Sequence, residues 1–128
     1  MEAFTVNPIM RVADDGKKDG KAETKEIELG VFEFRHRTMR DEFKIGAEYS
    51  RLIEGIDHPT KFLAYLSEAT STIKVLLSEG PPGWDIDTLD PLDPETFNKI
   101  STIYKALQEK EIFFRKDAKR QSEKERAQ

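Results

Sequence analysis

The chain of 128 residues contains no cysteine, which excludes disulfide bonds and thiolate metal sites and is typical of a protein from a reducing compartment. Its two histidines, His36 and His58, share no third ligand at the spacing of a zinc site. The sequence has no G-x-S-x-G nucleophile motif and no glycine-rich phosphate loop. Nothing therefore assembles a nucleophile, a base and an orienting group, and we expect no enzymatic activity, no cofactor and no metal.

Long apolar runs are absent as well. No segment approaches the roughly 20 apolar residues that span a bilayer, and the opening MEAFTVNPIM lacks the basic start and apolar run of a signal peptide. Hydrophobic residues make up 37% of the chain and charged residues 36%, so we expect a thin core and a largely solvated surface. The net charge of −4 argues against a general nucleic-acid binder. We expect a soluble intracellular protein that binds neither nucleic acid nor membrane.

The N-terminal part is predicted to form an antiparallel β-hairpin with strands at about residues 4–12 and 26–35. In the second strand the apolar residues change parity just after Gly30, where a bulge can turn the chain. The intervening residues 13–25 are charged and contain glycine, which predicts a mobile loop. Because an isolated hairpin is marginal in water, it needs helices behind it.

Three helices are predicted to follow, at about residues 39–54, 59–79 and 94–116. Thr38 and Asp93 are expected to cap the first and the third, and apolar residues recur at spacings of three and four. From Arg115 to Arg126 six basic residues face three acids with almost no apolar side chain, so residues 117–128 are predicted to be a charged, fraying tail. The predicted class is α+β, mostly α, with one compact domain over residues 1–116.

The stretch GPPGWDIDTLDPLDP, residues 80–94, holds four aspartates and no base. It does not match an EF-hand loop counted from Asp85, because Asp90 stands at the glycine position and Thr96 at the glutamate position. A catalytic carboxylate pair remains an alternative. The residues favour a connector, in which Asp93 caps a helix, Asp-Pro dipeptides form turns, and Asp85 and Asp87 face water.

Two aromatic sites have open interpretations. Trp84 is predicted to fold back onto the core, and the alternative is an anchor for a partner. Ile112, Phe113 and Phe114 either pack against the hairpin or form an exposed apolar patch, since side chains of neighbouring helical residues point about 100° apart.

Short motifs mark the junctions between these elements. FRHRT-x-R-D-E, residues 34–42, leads from the second strand into the first helix, and GWD, residues 83–85, precedes a helix that carries IY-x-A-L, residues 103–107. In this combination the chain resembles the tail assembly chaperones of long-tailed, siphovirus-type bacteriophages and prophages, over about residues 5–116. Arg115-Lys116-Asp117 stands where members of that family often have arginine, lysine and asparagine.

The resemblance implies a non-enzymatic homo-oligomer in the cytoplasm of the host bacterium. Its implied role is to bind the tape measure protein and keep it soluble for tail tube polymerisation, with the tail tube protein as a second candidate partner. The alternative is a structural adaptor or tail completion protein that stays in the mature virion. The candidate partner-binding residues are Trp84, Asp85, Asp87, Ile112, Phe113 and Phe114.

Opposite charges are concentrated in two segments. Residues 79–95 contain six acids and no base, whereas the residues after Phe114 are basic. Pairing of these segments between neighbouring copies is a further hypothesis.

Overall fold

The structure is a computed structural model that describes residues 2–14 and 23–127. Within these residues the chain forms five short strands and three helices, which confirms the α+β class and its helical majority. In chain order the elements are β1 (Phe4–Val6), β2 (Ile9–Asp14), β3 (Glu23–Glu28), β4 (Phe32–Phe34), α1 (Met39–Leu52), α2 (Lys61–Leu76), β5 (Leu77–Glu79), a 3₁₀ turn (Ile86–Thr88) and α3 (Pro94–Arg126).

The predicted hairpin is present, but it is divided between two sheets. β1 pairs with β4 through Phe4 and Phe34, and β2 pairs with β3 through Ile9 and Glu28, both antiparallel. The register shifts by one residue between the two halves, at Gly30, which has a φ of +106°. Glycine adopts this left-handed conformation without the steric cost of a Cβ. The bulge predicted at the parity change is therefore confirmed.

The end of α2 differs from the prediction. The helix stops at Leu76, and the residues expected to form its last turn, Leu77–Glu79, become β5 and pair with β4. The first sheet thus has the order β1-β4-β5. Without β5, β4 would leave one edge of backbone donors and acceptors unpaired. Strand pairing between distant residues supplies partners that the local helical periodicity cannot reveal.

Side chains fix the start of each helix. Thr38 and Asp41 form a reciprocal capping box at α1, and Thr60 accepts a hydrogen bond from the Leu63 amide at α2 (3.1 Å). At α3 the Asp93 carboxylate accepts from the Glu95 amide (2.9 Å), with Pro94 in the first turn. These groups satisfy amides that have no partner inside the helix.

The core lies between the three-stranded sheet and the helices. The sheet contributes four fully or nearly buried side chains, and α2 and α3 contribute residues at helical spacing. Ile45 comes from α1, which packs against α2. The core consists of Phe4, Val6, Phe32, Phe34, Ile45, Ala69, Ile73, Leu76, Ile100, Ile103, Tyr104 and Leu107.

The C-terminal tail corrects a second prediction. α3 does not end near residue 116 but continues to Arg126, giving a helix of 33 residues that is about 50 Å long at 1.5 Å per residue. Residues 115–126 are all exposed, so burial does not hold them helical. They are rich in strong helix formers and extend a helix that the core has already nucleated, so elongation costs little.

The predicted mobile loop also changes. β2 and β3 include residues 13–14 and 23–25, so these five are strand residues. Residues 15–22, like Met1 and Gln128, lie outside the described part of the chain.

Candidate partner-binding surface

The FRHRT motif forms a joint between three elements. The guanidinium of Arg35 donates to the carbonyl of Val75 near the end of α2 and lies 2.9 Å from a carboxylate oxygen of Asp41 in α1. The Asp41 carboxylate, 1% exposed, also accepts hydrogen bonds from the amide and the hydroxyl of Thr38, both 3.0 Å. Burial works to raise the pKa of Asp41, but these donors outweigh it and lower the pKa below its ordinary value of 3.8.

The next two residues of the motif reach α3. The ring of His36 packs against those of Phe4 (4.9 Å between centroids) and Phe114 (4.8 Å). Arg37 makes a bidentate pair with Glu111, at 3.0 and 2.9 Å, and a further contact of 2.6 Å with Glu42. Arg35, His36 and Arg37 of the motif therefore join β4 to α1, α2 and α3.

The connector between β5 and α3 and the first two residues of α3, together residues 80–95, are called the elbow below. Its Trp84 packs edge-on against the fully buried Phe32, with ring centroids 5.0 Å apart, which confirms the core interpretation of the tryptophan. A Cβ at Gly80 would approach Trp84 Cδ1 to 3.0 Å, and one at Gly30 would lie 2.8 Å from Pro81. The elbow thus rests directly on the bulge of the hairpin.

The aspartates of the elbow act locally. Asp85 accepts from the Asp87 amide (3.0 Å), Asp90 accepts from the Leu92 amide (2.9 Å), and Asp93 caps α3. Asp87 is exposed to water, as predicted, but it also lies 3.1 Å from Lys74 Nζ, a contact that was not predicted. Among the described residues no group of three potential ligands stands close enough to hold a metal ion.

Lys74 belongs to a small charge cluster beneath the elbow. Its Nζ lies 3.0 Å from Glu48, which also pairs with Arg51. Hydrogen bonds from Arg51 and Lys74 lower the pKa of Glu48 from 4.5 to about 2. The cluster thus joins α1, α2 and the elbow.

An open groove of about 420 Å³ lies between α2, the elbow and the start of α3. We call it the elbow groove. The rings of Phe62 and Phe97, 57% and 36% exposed, are 4.8 Å apart at its edge, and the neighbouring Leu92 in the elbow is 89% exposed. Its lining residues are Phe62, Leu66, Thr70, Ile86, Leu89, Pro91, Asp93, Pro94, Thr96, Phe97 and Ile100.

Sequence reasoning missed this groove because Phe62, Leu66 and Phe97 follow the spacing of three and four that predicts an apolar helix face, and such a face is ordinarily buried. Helical spacing shows which residues share a face, but not whether another element covers that face. A usable signal was present: Phe62 and Phe97 each stand in the first turn of a helix, and Phe97 follows a proline-containing connector whose Ile86 and Leu89 are apolar.

The three apolar residues Ile112, Phe113 and Phe114 of α3 do not share one environment. Phe114 packs against Phe4 with centroids 5.2 Å apart, whereas Ile112 and Phe113 are 46% and 60% exposed. One member is thus a core contact and two form exposed apolar surface, on a part of α3 distant from the elbow groove along the chain. Met39 and Phe43, expected on the apolar side of α1, are also exposed.

Comparison of the chain with protein-family models, curated sequences and solved structures finds no match. Within the described residues, every helix is too short or too polar to cross a bilayer. The function is therefore inferred from the geometry above and from the resemblance of the motifs to those of the tail assembly chaperones.

Proposed function

We propose that this protein is a non-enzymatic tail assembly chaperone of a siphovirus-type phage or prophage, acting in the cytoplasm of the host bacterium. In this proposal the elbow groove binds an apolar helical segment of the tape measure protein. The observation that carries the proposal is the open apolar groove edged by the exposed rings of Phe62 and Phe97. The motifs at residues 34–42 and 83–85 support the same family by resemblance.

The shape and chemistry of the groove suit a helix with apolar residues on one face. Such a helix lays side chains at spacings of three and four into a hydrophobic groove. Eight of its eleven lining residues are apolar, and Thr70, Asp93 and Thr96 are the polar ones. A tape measure protein is a long helical chain whose apolar stripes stay uncovered until the tube surrounds it, so it needs a temporary cover of this kind.

The expected strength of binding agrees with a temporary role. Three apolar side chains buried in the groove contribute about 5–9 kcal/mol together, whereas association costs at least about 4 kcal/mol in lost freedom of motion. Each contact is therefore weak and reversible. Several copies bound along one tape measure chain raise the overall affinity, and each can leave when tube subunits arrive.

The outer surface supports the same role. Charged residues make up 36% of the chain, and its net charge is −4. A complex covered by such copies carries a large negative charge, which keeps it dispersed.

Co-expression with the tape measure protein of the same tail gene cluster, followed by pull-down, tests the proposal. The variant Phe62→Glu places a carboxylate at the groove edge and is expected to reduce recovery of the tape measure protein about tenfold or more. The matched control is Phe43→Glu, because Phe43 is 73% exposed on α1 and outside the groove. We expect this control to bind like the unmodified chain.

Two results would contradict the proposal. Equal recovery with Phe62→Glu and Phe43→Glu would show that the groove is not the binding site. Mass spectrometry that finds the protein as a regular component of purified mature particles would favour the structural adaptor, because a chaperone leaves before assembly is complete.

A further inference from the structure

The exposed end of α3 presents a one-sided charge distribution. Residues 115–126, here called the basic end, contain Arg115, Lys116, Lys119, Arg120, Lys124 and Arg126. At about 100° per residue these six side chains fall within one half of the helix circumference. Glu123 interrupts that half, whereas Asp117 and Glu125 lie on the other side. The basic end is thus a helix with a basic face about 18 Å long.

Dipole stabilisation explains only part of this pattern. Cations near a helix C-terminus are favourable, but the effect is confined to the last turn. Lys124 and Arg126 lie in that turn, and the other four basic residues precede it. None of the six forms an ion pair with a described residue of its own chain. Their common face is therefore free to contact an anionic surface.

The elbow is the complementary surface on the same chain. It carries five acids and no base, and four of them, Asp85, Asp87, Asp90 and Asp93, are exposed. Within the described residues, Asp87 is the one elbow acid that pairs with a base, Lys74. The elbow thus retains most of its negative charge for an external partner.

The two surfaces cannot neutralise each other within one molecule along most of their length. α3 begins in the elbow at Pro94 and continues without interruption to Arg126. Glu95 and Arg115 are therefore separated by about 30 Å of helix. A rigid helix holds the opposite charges apart, so their pairing requires a second molecule.

We propose that the basic end of one copy binds the elbow of a second copy. The length of α3 permits both contacts at once: two helices of about 50 Å laid antiparallel bring the basic end of each beside the elbow of the other. This arrangement is a two-fold dimer with two equivalent charge contacts. The basic end pairs with acids of the elbow, and one of these acids, Asp93, also lines the elbow groove.

Sedimentation velocity of the full chain tests the proposal at about 0.05 M and about 0.5 M salt, since the higher concentration screens exposed charges. We expect self-association at low salt that weakens about tenfold or more at high salt. The double variant Lys116→Glu/Arg120→Glu is expected to weaken it to a similar degree at low salt. Lys44→Glu/Lys105→Glu makes the same total charge change on exposed positions of α1 and α3 and should associate normally.

Variants of the elbow, alone and mixed with variants of the basic end, provide the decisive measurement. Asp87→Lys/Glu95→Lys reduces the net charge of the elbow from −5 to −1 and should also weaken self-association. A mixture with Lys116→Glu/Arg120→Glu should associate again, because the intact basic end of the first variant can bind the intact elbow of the second. Circular dichroism establishes that each variant keeps its helix content. A monomeric chain at low salt, association indifferent to salt, or equal loss in the control would overturn the proposal. Tight binding of single-stranded RNA by the basic end, measured by fluorescence anisotropy on a chain that stays monomeric, would also overturn it.

Discussion

Replacing Arg35 with methionine tests how the joint between β4, α1 and α2 is held. The substitution keeps the aliphatic stem but removes the guanidinium that contacts Val75 and Asp41. The two partners of the ion pair differ in burial: the Arg35 side chain is 45% exposed, whereas that of Asp41 is 1% exposed. Loss of the arginine therefore leaves a buried carboxylate without its cation.

The expected cost lies between two measured classes of ion pair. Removing one partner of a fully buried pair costs about 3–5 kcal/mol, whereas an exposed pair contributes about 0–1 kcal/mol. Here one partner is buried, and the amide and hydroxyl of Thr38 still donate to the carboxylate. We expect Arg35→Met to lower the free energy of unfolding by about 2 kcal/mol at neutral pH.

The loss of unfolding free energy caused by Arg35→Met should become smaller as the pH falls. In the native chain the folded pKa of Asp41 lies below 3.8, so its carboxylate stabilises the fold above that pH and loses this effect in acid. In Arg35→Met the cation that lowers the pKa of Asp41 is gone, whereas burial still raises it. The pKa of Asp41 in the folded variant is therefore higher than in the native chain. Proton uptake then favours the folded variant as the pH falls, and the difference between the two proteins narrows.

Urea denaturation followed by circular dichroism at about pH 7 and about pH 4 measures both effects, because urea does not screen charges. Arg51→Met is the control. Arg51 pairs with Glu48 on the helix surface, its side chain is 59% exposed, and we expect a cost below about 1 kcal/mol. Equal costs for the two variants, or a cost of Arg35→Met that is the same at both pH values, would refute the reasoning.

Three further outcomes follow from the same structure. Because the pKa of Glu48 is about 2 when folded against 4.5 ordinarily, its contribution is present above about pH 4.5 and lost as the pH falls toward 2. The full shift corresponds to about 3 kcal/mol, but solvent screening of its ion pairs reduces the loss to about 1 kcal/mol, which acid titration of Glu48→Gln against the native chain measures. Gly30→Ala should cost about 1–3 kcal/mol in urea denaturation, since φ is +106° and the added Cβ meets Pro81 at 2.8 Å. Gly46→Ala, inside α1 with open space around it, should instead raise the free energy of unfolding by about 0.5–1 kcal/mol. The two glycine variants should therefore shift the urea midpoint in opposite directions. Phe34→Ala, fully buried in the central strand, should cost about 3–5 kcal/mol, and a midpoint unchanged in urea would contradict the assigned core.

Local signals predicted much of the scaffold. The caps Thr38 and Asp93 stand at the starts of α1 and α3 as predicted, because a cap depends on residues within one turn. The change of apolar parity after Gly30 located the bulge for the same reason. Trp84 was correctly expected to pack on the core, although its partner Phe32 could not be deduced from the sequence.

The candidate site was only partly predictable. The sequence singled out the elbow and the exposed residues Ile112 and Phe113, but it did not identify Phe62, which is 57% exposed, as a surface residue. Whether an apolar helix face is covered depends on where distant elements pack. The two halves of the elbow groove come from α2 and from the start of α3, and only their packing brings Phe62 within 4.8 Å of Phe97.

The sequence by itself determined the order of hairpin and helices, the first residues of α1 and α3, the bulge at Gly30 and the opposite charges of the elbow and the basic end. These properties follow from residue spacing, backbone preference and charge, which act over a few positions. Tertiary structure alone decided that Leu77–Glu79 pair with β4, that Arg35, His36 and Arg37 contact the three helices, that the elbow groove stays open, and how far apart α3 holds the two charged surfaces. Each of these depends on contacts between residues far apart in the chain, and such contacts leave no local pattern in the sequence.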